Sequence, residues 1–167
     1  MFAHLGRLCS IPLLVFGLAF SSSAVTGADS TANRVVPDDG IVKVKSAYPM
    51  RETITRLKQD IASKGIRFFA EIDQSQLAAA AGIELHPSTL LVFGNPPLGT
   101  LFVKSNPNAG LDWPVRLLVT EDATGDVWTV YTDFAWIARR HQITTRDDEF
   151  KTAASVIESI TSSVTAK

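Results

Sequence analysis

Pro87-Ser88-Thr89-Leu90-Leu91-Val92-Phe93-Gly94-Asn95-Pro96-Pro97-Leu98-Gly99-Thr100 is the stretch that decides the fold. Leu90 to Phe93 is a continuous apolar run bounded by Pro87 and Gly94, the pattern of a strand buried on both faces. Asn95-Pro96-Pro97 breaks the ladder, because proline donates no backbone hydrogen bond and fixes φ. Gly99 permits a close turn. Thr100 is the expected cap of a helix through Leu101, Phe102, Val103 and Lys104, and Asn106-Pro107 stops it.

Working upstream, Ile41-Val42-Lys43-Val44-Lys45-Ser46 alternates and predicts a first strand with one wet face. Ile54, Leu57 and Ile61 recur at helical spacing, so a helix is expected from Met50 to Lys64, ended by Gly65. Ile66 to Ile72 predicts a second strand, with Ile66, Phe68, Ala70 and Ile72 on one face. Asp73 caps a short helix, Gln74 to Ala81, which Gly82 ends.

Downstream, Asn108 to Pro114 reads as a loop. Val115–Glu121 and Val127–Thr132 are β-rich runs around the turn Asp122–Asp126, which predicts a hairpin. Asp133 caps a helix to His141. Residues 147–167 form a C-terminal amphipathic helix, with Phe150, Ala153, Ala154, Ile157 and Ile160 on one stripe.

This order predicts a single-domain α+β sandwich over residues 41–146, a sheet of about five strands with helices packed mainly on one side. A doubly wound α/β sheet is the alternative, because the early strands alternate with helices.

The N-terminus has a different composition. Met1–Arg7 carries a positive charge and no acid, Leu8 to Phe20 is apolar, and Ser21 to Ala28 is small and polar. That order is a secretory signal peptide over residues 1–28, cleaved after Ala24 or Ala28. A membrane anchor is the competing reading, but the run falls short of the roughly 20 residues a spanning helix needs, and Pro12 and Gly17 interrupt it. Residues 29–40 read as a flexible lead-in. The expected location is therefore periplasmic or extracellular, with no membrane attachment after cleavage.

The single cysteine, Cys9, leaves with the signal. The mature chain then holds no disulfide, thiolate metal site or cysteine nucleophile. The 16 basic residues include Arg7, so 15 remain against 17 acidic ones. Nucleic-acid binding rests on a basic face, and no basic cluster exceeds Arg139-Arg140-His141, so that function class is excluded.

The segment from Ser46 to His141 resembles the family of domains of unknown function numbered 302. The residues that carry the resemblance are Glu52-Thr53-Ile54, Leu57-Lys58, Phe69-Ala70-Glu71-Ile72-Asp73, Ala81-Gly82-Ile83-Glu84-Leu85, Pro87 to Pro96, Leu111-Asp112-Trp113-Pro114-Val115-Arg116 and Tyr131. The chain departs from the pattern at Gln74, Pro97 and Leu101. The resemblance implies a small α+β domain, dimeric, with no established activity.

Motifs for chemistry are sparse. Gly94 to Thr100 has the outline of a phosphate loop, but Pro96 and Pro97 remove two donors and Thr100-Leu101 replaces Lys-Ser/Thr. His86 and His141 are the only mature histidines. With Asp73, Asp112 or Glu121 they have the chemistry of metal ligands without the spacing of a metal motif, so no metal or cofactor is expected. Ser88 and Thr89 lie near His86, yet no Gly-x-Ser-x-Gly elbow exists. Trp113, Trp128 and Trp136 are either pocket walls or core residues whose N–H finds a partner.

No catalytic residue is assigned. The expected function is a non-enzymatic module that binds a small ligand or a protein partner, as a homodimer. The ligand site is placed after the central strand, at His86, Asn95 and Asp112, in loops stiffened by proline. The alternative is a small enzyme or metal-dependent activity using His86, Asp73 and Asp112.

Overall fold

The computed structural model describes residues 39–166. The expected signal peptide (1–28) and all but the last two residues of the lead-in lie outside them. In chain order the elements are β1 Ile41–Lys45, α1 Met50–Ser63, β2 Arg67–Asp73, α2 Gln74–Ala80, β3 Ser88–Gly94, α3 Pro96–Ser105, a 3₁₀ turn Pro107–Leu111, β4 Val115–Glu121, β5 Val127–Thr132, α4 Phe134–Arg140 and α5 Asp147–Ser162.

The strands form one sheet in the order β1-β5-β4-β3-β2, and every neighbouring pair is antiparallel. This is the expected α+β fold. The doubly wound alternative fails because no two neighbouring strands are parallel.

Register sorts the side chains into two faces. Val42, Tyr131, Leu117 and Leu91 lie in one row across the sheet. They are buried with Leu57 and Ile61 of α1 and with Phe150, Ala153, Ile157 and Ile160 of α5. The next row, Lys43, Val130, Leu118, Leu90 and Ile72, points the other way and is half-buried or exposed. The central strand β3 is therefore buried on one face and not on both. A continuous apolar run does not say how many layers cover it; the helices supply one.

The stripe of α5 is spent on this core, so it gives no ground for a dimer. β2 also departs from its expected alternation. Phe68 pairs with Phe93 but Ala70 pairs with Val92, so a bulge at Phe69 puts Phe68 on the opposite face from Ala70 and Ile72.

α3 starts four residues before the expected cap. Asn95 Oδ1 accepts from Leu98 N at 3.4 Å, and the two prolines fill the first two helical positions. Those positions need no donor, so the feature that breaks the strand begins the helix. Thr100 lies inside, its hydroxyl donating to Pro96 O at 2.7 Å.

In the β4–β5 hairpin, Asp122 Oδ1 accepts from Thr124 N, Thr124 Oγ1 and Asp126 N, and Oδ2 accepts from Trp128 Nε1 at 2.8 Å. The Thr124 hydroxyl, then the Trp128 indole, hold this carboxyl well below the usual carboxylate range. Gly125 closes the turn at φ 83°.

Candidate functional site: an apolar cleft beside Trp113

The structure does not gather His86, Asn95 and Asp112. His86 is exposed and precedes β3, whereas Asn95 follows it. A strand of this length holds its two ends roughly 20 Å apart. Asp73 lies with His86, because it pairs with Thr89 at the start of β3, and its carboxylate caps α2 through Gln76 N at 2.9 Å. Asp112 lies at the Asn95 end, because β4 begins there with Val115 paired to Phe93. The trio of His86, Asp73 and Asp112 is likewise divided between the two ends.

Asp112 is sealed, its side chain only 2% exposed. Its carboxylate accepts from Arg116 Nη2 at 3.0 Å and from Arg140 Nη1 at 3.1 and 3.2 Å, and His141 Nε2 stands 2.6 Å from Oδ2. His141 is itself buried. A carboxylate behind a histidine has the form of a catalytic pair. The adjoining cavity, however, holds about 10 Å³, room for one water at most.

This cluster ties the loop before β4 to the end of α4. Asn106 Nδ2 adds a second tie, donating to His141 O at 2.8 Å. Sequence reasoning singled out Asp112 and His141 but missed Arg116 and Arg140. Neither had a signal: a spacing of four pairs charges on a helix, whereas Asp112 lies in a loop and Arg116 on β4, and Arg140 is 28 positions from Asp112. Among the described residues, no three His, Cys, Asp or Glu side chains gather as a metal site.

The residue after this anchor is Trp113. Its indole lies on two glycines. A Cβ at Gly99 would stand 1.7 Å from Nε1, and one at Gly94 would stand 3.1 Å from it. Glycine at these two positions is a requirement of close packing, since neither has a positive φ. Phe69 meets the ring edge-on, centroids 6.3 Å apart.

Trp113 thereby forms one wall of a cleft of about 660 Å³ between α3 and α5. Phe93 and Val115 line it from the sheet, Leu98 and Phe102 from α3, Phe134 from the start of α4, and Val156 from α5. Phe102 stacks on Phe150, centroids 4.1 Å apart, and joins the two helices. The polar lining is Lys64, Asn95, Lys151, Thr152, Ser155 and Ser159. Of the three expected site residues, Asn95 lines this cleft, Asp112 fixes the wall beside it, and His86 is remote. The other tryptophans do other work: Trp128 is bonded to Asp122, and Trp136 packs on Gly40.

The chain is 40% identical over 106 residues to a fluoride-specific ion channel, FluC 1, of Brucella suis biovar 1, a match covering 64% of this chain and 42% of that protein. A second, FluC 1 of Brucella abortus biovar 1, is 40% identical over 106 residues and is covered over 39% of its length. The chain thus spans about two fifths of the curated relatives it matches. Among the described residues no helix is long and apolar enough to cross a membrane. The crystal structure of an uncharacterized conserved protein DUF302 from Bacillus stearothermophilus superposes with a TM-score of 0.69 at 15% identity, covering 75% of this chain and 98% of that one. The family described as a domain of unknown function, DUF302, matches residues 42–164, and the chain belongs to that family.

Proposed function

We propose that this chain is an exported binding module that takes a small apolar molecule into the cleft beside Trp113. One observation carries the reading: a cleft of about 660 Å³ walled by Phe93, Leu98, Phe102, Trp113 and Val156, with its polar groups confined to a few side chains. That is the size and lining of small-molecule sites in general. The Asp112 cluster and the two glycines hold the wall in place before any ligand arrives, which lowers the entropic cost of binding. Export rests on the charge–apolar–small order of residues 1–28. Ion conduction, which the names of the Brucella proteins give to those whole molecules, is not carried over to a chain that spans about two fifths of them.

Native mass spectrometry of the protein isolated from its own host tests this. The expected result is a retained small molecule that is absent from a Val156→Trp variant, whose side chain fills the cleft. The same adduct on both proteins would contradict it.

A second reading concerns the partner. Among the described residues, six of the seven exposed large apolar residues (Phe68, Phe69, Ile72, Leu77, Ile83 and Leu85) fall on the edge strand β2 or between it and β3. Such a concentration marks an interaction surface. A second copy of this chain suits it. Arg67 and Asp73 stand at opposite ends of β2, so a two-fold copy laid antiparallel along the strand sets each against its opposite charge and Phe68 against Ile72.

A further inference from the structure

Resting on the cleft reading, we infer that the ligand is an amphiphilic anion, a single-chain carboxylate whose tail lies along Trp113 and whose head sits between Lys64 and Lys151. The charge distribution carries this. The cleft lining contains two lysines and no aspartate or glutamate. The lysines come from different elements: Lys64 from the residue that ends α1, and Lys151 from the first turns of α5.

Each lysine already has a carboxylate neighbour on its own helix. Lys64 Nζ lies 2.7 Å from Asp60 Oδ2, and Lys151 Nζ lies 3.6 Å from Asp148 Oδ1 with both side chains largely exposed. The exposed Lys151 pair contributes little, and an ammonium has three donors, so a ligand carboxylate can share both lysines without breaking either pair. Along the same rim, the hydroxyls of Ser155 and Ser159 donate to no group among the described residues. A cationic head would meet two ammonium groups, and a neutral head would forgo them. The chain below the head meets mostly apolar walls, where each buried methylene favours binding.

Calorimetry on the mature chain, with decanoate, decanol and decyltrimethylammonium below their micelle concentrations, tests the inference. Decanoate should bind tightest. Replacing both lysines (Lys64→Gln with Lys151→Gln) should weaken decanoate by about tenfold and leave decanol unchanged. Circular dichroism checks that the doubly substituted protein is folded. Decanol binding as tightly as decanoate, with no effect of the lysine substitutions, overturns the anionic head while leaving the cleft standing. Binding of none of the three overturns both. Binding to phosphatidylglycerol vesicles without binding decanoate would assign the surface to a membrane and overturn the single-chain ligand.

Discussion

The indole of Trp113 lies against the backbone of Gly99, so close that a methyl group at residue 99 would stand 1.7 Å from Nε1 and 2.0 Å from Cε2. α3 and the loop before β4 meet through this contact. The cleft wall is therefore set by a missing side chain as much as by a present one.

Gly99→Ala should force the indole off its seat. Because the obstructing atoms are a rigid ring, the expected loss of stability is about 1–3 kcal/mol, as for other overpacked sites. Thermal unfolding gives the size, and a red shift of tryptophan emission reports the ring moving into water. A variant that melts like the parent with unchanged emission would contradict the packing.

The Asp122 carboxyl gives a pH dependence with a definite sign. Hydrogen bonds from Thr124 and then Trp128 depress its folded-state pKa. A depressed acid stabilises the fold fully above its unfolded pKa, about 4, and loses that contribution as pH falls toward the folded value. Asp122→Asn should therefore melt below the parent at neutral pH, and the gap should narrow below about pH 4. Melting curves from pH 7 to pH 2 decide it; a constant gap would contradict the assignment.

For the edge of β2, Ile72→Glu should shift the protein toward monomer. Ile72 is 38% exposed, so the substitution leaves the core alone. Sedimentation velocity at micromolar concentration is the measurement. A parent protein that is already monomeric there would remove the second-copy reading.

Much of the fold was legible in the sequence. The hairpin, α1 with its Gly65 ending, and the α5 stripe follow from periodicity and turn chemistry, which are local. What failed was non-local. The two faces of β3 depend on which layers pack on it. The bulge at Phe69 hides in a run that nearly alternates. Pro96-Pro97 stops a strand and starts a helix, and only the presence of a preceding cap, Asn95, tells which. The site suffered most. His86 and Asn95 flank the same strand and are close in sequence, but an extended strand separates its ends. The Arg140–Asp112 bond joins elements that only the folded sheet brings together.

The central claim is that the cleft beside Trp113 is where a ligand enters. The most direct measurement is a two-dimensional proton–nitrogen NMR titration of the chain, freed of its proposed signal peptide, with decanoate, following the indole N–H signals of its three tryptophans. Trp113→Phe identifies one signal by its loss. The account predicts that the Trp113 signal moves saturably, while the signals of Trp128, held by Asp122, and of Trp136, packed on Gly40, stay in place. A titration in which Trp113 does not respond, or in which Trp128 on the open face of the sheet responds instead, would contradict it.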